Sequence, residues 1–241
     1  MPAMTKTYPI TGIGLGPGDP ELITVKGLKA LQVADVIFYP ATSRQAGLIV
    51  SYSKKMLDYF SLNATCKPML FPMKSTNRTD NYELAYQAIR QDVLQGHRVA
   101  IVSEGDLLFY STFGYLLKLA LADSLPCTLI PGIPAFIHAA AIGQRPLLED
   151  QEGLTVMARP ESFTEIQKAL DTGHTLVVMK MSLLRDDWPA FLANCGHPFF
   201  YIEKAGTPEQ FTATMADALI NRPIPYFSLI IFYPPKTRMD V

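Results

Sequence analysis

From one end of the chain to the other, short β-rich runs alternate with segments of helix length. In the first half the runs are YPITGIG from Tyr8, VIFY (Val36–Tyr39), CKPML (Cys66–Leu70), RVAIV (Arg98–Val102) and CTLI (Cys127–Ile130). Between them stand ELITVKGLKALQVA, GLIVSYSKKMLDYF, NYELAYQAIRQDVLQG and YSTFGYLLKLALADS. The third of these reads most clearly as a helix, with Leu84, Ala88, Ile89 and Val93 near helical spacing and Gly96 as a stop. Alternation of this kind predicts a parallel sheet with helices on its faces.

The second half repeats the rhythm. Its strands read as LTVM (Leu154–Met157), HTLVVMKM (His174–Met181), FFYIE (Phe199–Glu203) and YFSLIIFY (Tyr226–Tyr233), and its helices as SFTEIQKALDTG, DDWPAFLANCG and TPEQFTATMADALI. IPGIPAF (Ile130–Phe136) is the most punctuated stretch between the halves, so domains of 1–132 and 133–241 are predicted. Two α/β lobes with a cleft between them is the simplest reading, and inter-domain clefts are common sites for small ligands.

Composition narrows the partners. Half of the 241 residues are apolar, enough for a substantial core, and the net charge of −1 lacks the basic surface of a nucleic-acid binder. The apolar runs SLIIF and YLLKLALA fall short of the roughly 18 residues of a membrane helix. MPAMTKTYP has no apolar core of a secretory signal. Cys66, Cys127 and Cys195, and the four histidines, are scattered without metal-ligand or Cys/His catalytic spacing. Reduced, packed thiols, no metal and a cytoplasmic protein are therefore expected.

The loop GIGLGPGDPELIT (Gly12–Thr24) looks like a nucleotide-binding turn but departs from one. The third glycine of a dinucleotide fingerprint falls on Pro17, the next strand ends at Pro40 without a ribose-binding carboxylate, and no Gly-Lys-Ser/Thr follows. Asp19 is placed as N-cap, Pro20 at N1 and Glu21 at N2, so carboxylates already occupy the helix end that would hold a phosphate. IVSEGDLLFYSTF and LIPGIPAF give two more Gly-punctuated turns after strands. Three such turns suit a polar, neutral or cationic ligand held by backbone groups better than a polyphosphate.

GIGLGPGDPELITVKGLKAL, ADVIFYP, EGDLLFYSTFGYL, PGIPAF, AGTPEQ and PYFSLII stand in the order and spacing of the tetrapyrrole (corrin/porphyrin) methylases, which the chain resembles from about Tyr8 to Tyr233. FYP, FYSTF and PYFSLII resemble most the branch that methylates C20 of precorrin-2 in cobalamin biosynthesis. The resemblance implies a mostly parallel N-terminal sheet, a mixed C-terminal sheet, an active-site cleft between the lobes and a homodimer. It also implies S-adenosylmethionine (SAM) as methyl donor and precorrin-2 or cobalt-precorrin-2 as tetrapyrrole substrate. Action on a different ring carbon, or non-catalytic tetrapyrrole binding, are the alternatives.

Carried over by motif, the expected donor-binding residues are Pro17, Glu104, Gly105, Asp106, Phe109, Pro134, Ala135, Lys180, Met181, Gly206 and Thr207. Leu107 replaces the proline usual in the second turn, which should loosen it. Pro134 stands where relatives carry hydroxyls, and Pro40 where uroporphyrinogen-methylating relatives have a catalytic Asp. The catalytic proton acceptor is not identified; Tyr110, Glu104 and Glu203 are candidates. For the substrate carboxylates, Lys26, Arg44, Lys74, Arg78 and Arg159 are candidate cations, and Phe109, Tyr110 and Phe113 are candidate flanks for the ring.

Overall fold

A computed structural model describes residues 7–43, 49–71, 78–184 and 187–235. They fall into two compact units that divide after Pro134.

The first unit carries β1 (Ile10–Gly14), α1 (Val25–Val33), β2 (Val36–Ser43), β3 (Ile49–Val50), α2 (Tyr52–Leu57), β4 (Thr65–Leu70), α3 (Arg78–Leu94), β5 (Val99–Ser103), α4 (Phe113–Ala122) and β6 (Cys127–Ile130). Its sheet runs β3-β2-β5-β1-β6, with β4 also paired to β2. Every pairing is parallel except the short β2–β3 contact. Strand β5 is buried along its whole length, as a central parallel strand covered on both faces should be. One apolar cluster packs Ile10, Phe38, Ile89, Val93, Ile101 and Phe113; another packs Ile13, Leu31, Ile37, Leu57 and Val102.

The second unit carries α5 (Ala135–Ile142), β7 (Leu154–Ala158), α6 (Phe163–Leu170), β8 (Thr175–Met179), α7 (Trp188–Asn194), β9 (Phe199–Glu203), β10 (Phe211–Ala213) and β11 (Ser228–Phe232). Its sheet order is β10-β9-β11-β8-β7. Strands β7 and β8 are parallel, and β11 runs antiparallel to both β8 and β9. The sheet is mixed, and β7, β8 and β9 share one direction. Trp188, Tyr201 and Phe232 are fully buried in its core.

Several local expectations fail. In the segment GLIVSYSKKMLDYF, expected to be one helix, Ile49–Val50 pair antiparallel with β2 as β3, and α2 covers only Tyr52–Leu57, starting under Ser51, whose Oγ accepts from the Lys54 N–H. The opening helix is two elements: Asp19 caps only a 3-10 turn over Pro20–Leu22, and α1 restarts under Thr24, whose Oγ1 accepts from the Gly27 N–H at 3.0 Å. TPEQFTATMADALI is not a helix. Phe211 and Thr212 favour a strand and pair antiparallel with β9, leaving only a 3-10 turn at Ala216–Leu219. The Ala-rich α5 was not anticipated, because PGIPAF reads as a boundary.

On α3 the apolar face is set by Tyr86, Ile89 and Val93, whereas Leu84 is 70% exposed and Ala88 is also exposed. Replacing Ile89 with Ala should therefore destabilise by about 2–5 kcal/mol, and replacing Leu84 with Ala by no more than about 0.5 kcal/mol. Urea unfolding of the two variants measures both; equal losses would contradict this packing.

Candidate functional site

In the first unit the carboxyl ends of β1, β5 and β6 lie side by side because the three strands are parallel and in register. The loops that leave them touch backbone to backbone. The Leu15 N–H donates to the Ser103 carbonyl at 2.9 Å, and Gly16 and Gly105 exchange N–H···O=C bonds of 3.2 and 2.7 Å. A Cβ on Gly14 would lie 2.5 Å from the Gly132 nitrogen, and one on Gly132 would lie 2.2 Å from the Gly105 oxygen. No side chain fits in this seam. Pro17 follows directly on the Gly16–Gly105 bridge.

The acidic groups of the same loops are occupied by the protein's own donors. Asp106 accepts from the Gly132 N–H at 3.0 Å and from the Leu108 N–H at 2.9 Å, tying the second turn to the third. Glu104 Oε1 accepts from the Ser53 N–H at 3.1 Å and its hydroxyl at 2.6 Å, anchoring α2 to the end of β5. Ser103 and Ser111 hydroxyls meet at 2.7 Å, and Ser111 Oγ also accepts from the Phe113 N–H. Leu107, expected to loosen the turn, is buried in the core, so apolar packing restrains the turn in place of a proline ring. Phe113 is a core residue. Phe109 and the exposed Tyr110 meet edge to face at 5.0 Å, with Tyr110 at φ +51°.

In the second unit Ala135 opens α5. Lys180 follows β8 at φ +58°, and its N–H donates to the Ser228 carbonyl at 3.3 Å. Met181 is fully buried, and its carbonyl accepts from Trp188 Nε1 at 3.2 Å, so its side chain belongs to the core. Gly206 (φ +73°) and Thr207 form a turn closed by the Gly206 N–H to Gln210 Oε1 (2.9 Å) and by Thr207 Oγ1 to the Lys204 carbonyl (2.8 Å). The structure thus groups Pro17, Glu104, Gly105, Asp106 and Phe109 with Pro134 in one unit, and Ala135, Lys180, Met181, Gly206 and Thr207 in the other.

Two of the candidate proton acceptors, Glu104 and Glu203, are bound to internal donors. Glu203 is buried at the end of β9, where it accepts from Tyr201 OH at 2.6 Å and from Arg222 Nη2 and Nε at 2.7 and 3.2 Å. Burial, then the bond to Glu203, pushes the Tyr201 phenol well above its usual range. Sequence reading missed this network because Arg222 lies 19 positions from Glu203. Ser53 was missed for the same reason.

Among the candidate cations, Lys26 and Arg159 are exposed; Arg44 and Lys74 lie outside the described residues, as does the side chain of Arg78. Burial raises the Cys66 and Cys127 thiols above their ordinary pKa, which makes them poor nucleophiles. Among the described residues no group of His, Cys, Asp or Glu could hold a metal ion, and no helix is long and apolar enough to cross a membrane.

The seam gives a sharp prediction. Gly132→Ala should lower stability by at least about 1–3 kcal/mol, because the methyl must displace main chain rather than a rotamer. A thermal melt within a degree of the parent would show that the loops are not packed as described.

The model of the tetrapyrrole (corrin/porphyrin) methylases matches residues 9–218. A precorrin-2 C(20)-methyltransferase of Sinorhizobium sp is 30% identical over 92% of this chain and 94% of its own length. Among solved structures, a cobalt precorrin-4 methyltransferase superposes with a TM-score of 0.73 at 24% identity, covering 93% of this chain and 94% of that one. Uroporphyrin-III C-methyltransferase from Thermus thermophilus, complexed with S-adenosyl homocysteine, gives 0.64 at 19% identity over 94% of this chain and 97% of that one. With both a matching model over most of its length and a full-length relative at this identity, the chain belongs to the tetrapyrrole methylases.

Proposed function

We propose that this protein transfers a methyl group from SAM to C20 of precorrin-2 or cobalt-precorrin-2. The observation that carries the reading is the relative of that activity aligned over nearly the full length of both chains. The donor site we assign comprises Pro17, Glu104, Gly105, Asp106, Phe109 and Pro134 in the first unit, and Ala135, Lys180, Gly206 and Thr207 in the second, with Met181 supporting Lys180 from the core. Homodimeric assembly and a cytoplasmic location belong to the same proposal.

The residues present fit such a donor. The main chains at Gly14, Gly105 and Gly132 pack on one another without room for a Cβ, and Glu104 and Asp106 are held by hydrogen bonds from Ser53, Leu108 and Gly132, so these loops present a fixed surface to a ligand. When bound, SAM supplies an electrophilic methyl group whose transfer to carbon leaves a neutral thioether. A rigid wall limits the motion lost on aligning the donor with the ring carbon. The Gly14–Gly105–Gly132 seam provides rigidity, and the Asp106 bonds fix two of the loops to each other. Because Glu104 and Glu203 serve as internal acceptors, neither is assigned the proton released from the ring.

The test is turnover of purified protein with SAM and either metal-free or cobalt-loaded precorrin-2, followed by product mass and NMR location of the new methyl. One methyl at C20 is expected. A methyl at another ring carbon, or no transfer to either substrate, would overturn the assignment.

A further inference from the structure

We propose that the carboxyl edge of the second unit's sheet is an anion-binding rim that holds the peripheral carboxylates of the tetrapyrrole through Arg159 and Lys204, on either side of the donor-site Lys180; this rests on the substrate class assigned above. Strands β7, β8 and β9 run in one direction, and a basic residue follows each of them immediately. All three have left-handed backbones, with φ +58° at Arg159, +58° at Lys180 and +50° at Lys204. That region is disfavoured for residues with a Cβ, and outliers of this kind concentrate at functional sites.

The register places these residues in a row. Ala158 pairs with Met179, so Arg159 is beside Lys180, and the Arg159 N–H donates to the Met179 carbonyl at 3.0 Å. The N–H groups of Lys180 and Lys204 donate to the consecutive carbonyls of Ser228 and Phe227. Adjacent strands lie about 5 Å apart, so the row extends over about 15 Å. At its centre Tyr226 and Phe227, each 37% exposed, meet edge to face at 5.2 Å, and Lys180 Nζ lies 5.9 Å from the Tyr226 ring.

Exposed rings flanked by cations match a molecule with apolar faces and an anionic periphery. Arg159 is exposed and makes no ion pair among the described residues. Lys204 Nζ is 2.6 Å from the exposed Glu209, a surface pair of the kind that a substrate carboxylate readily exchanges. The buried Glu203 beside it is neutralised by Arg222 and so does not repel an incoming anion.

The experiment titrates uroporphyrin, a stable octacarboxylate porphyrin, by fluorescence against the parent protein and the Arg159→Gly, Lys204→Gly and Arg159→Lys variants. Glycine retains the left-handed backbone and removes only the side chain; Lys180 is left intact because it belongs to the assigned donor site. Each glycine variant should lose about tenfold in affinity, the scale of one charge-assisted contact, and Arg159→Lys should recover most of it. Raised salt should weaken the parent most. S-adenosylhomocysteine affinity, measured by calorimetry, should stay level across the set.

Porphyrin affinities within about twofold of the parent in both glycine variants, or binding by the parent that is indifferent to salt, would overturn the rim. Salt-sensitive binding that depends on Arg159, without methyl transfer to precorrin-2, would sustain the rim and defeat the proposed reaction. Methyl transfer with an unchanged tetrapyrrole KM in the glycine variants would do the reverse.

Discussion

The contact on which the first unit depends is the closure of three loops upon one another without side chains. Gly14, Gly105 and Gly132 stand at or just beyond the ends of parallel strands, and their main chains approach more closely than any Cβ permits. Parallel pairing of β1 with both β5 and β6 brings the ends together, and glycine then allows them to touch. Once they do, the peptide groups need partners, because buried polar groups left unpaired are costly. Asp106 and the Gly16–Gly105 exchange supply them. The glycine pattern that resembles a phosphate cradle is thus a self-satisfied wall, and the N–H groups that a phosphate would require are directed into the protein.

The second unit reaches order at the same end of its sheet by a different route, through a buried charge. Glu203 sits where β9 meets β10 and the start of β11, with Phe211 and Ser228 as its cross-strand neighbours. Removing a carboxylate from water is expensive unless opposite charge and hydrogen bonds replace the solvent. Arg222 gives both, and its guanidinium also stacks 3.5 Å from the Phe211 ring centroid. One side chain thereby links the segment before β11 to β9 and β10. An ion pair of this kind adds little net stability over an apolar substitute, but it admits one arrangement of the three segments, and the Gly206–Thr207 turn begins directly beyond it.

The architecture was legible because hydrophobic runs and their punctuation are local signals. The parallel strands of the first unit, the caps at Asp19 and the helix of Arg78–Leu94 all follow from neighbours in sequence. What could not be read depends on distant pairing. Phe211–Ala213 becomes a strand because β9 offers an unpaired edge, and Leu84 is solvent-facing because Tyr86, Ile89 and Val93 meet the sheet first. The site divides along the same line. The Gly-Asp turn was legible as a motif, whereas the partners that hydrogen-bond Glu104 and Glu203, Ser53 and Arg222, carry no signature at their own positions.

Positive φ angles separate the two sheets further. Where the first unit needs a left-handed residue in its strand-end loops, it mostly uses glycine: Gly16, Gly18 and Gly105. Tyr110, in the loop after β5, is the first unit's exception; Ser124 there and Gln144 in the second unit also have positive φ, but they follow helices, where a left-handed residue normally closes the last turn. At the strand ends of the second unit the same backbone is carried by Arg159, Lys180 and Lys204. Geometry alone would be met more cheaply by glycine, and each of these residues keeps its N–H in the sheet ladder, so hydrogen bonding does not require the Cβ either. What distinguishes arginine and lysine from glycine at those positions is the charged side chain. The strain is therefore accounted for by the place at which those charges are displayed, on the edge where three strands end together.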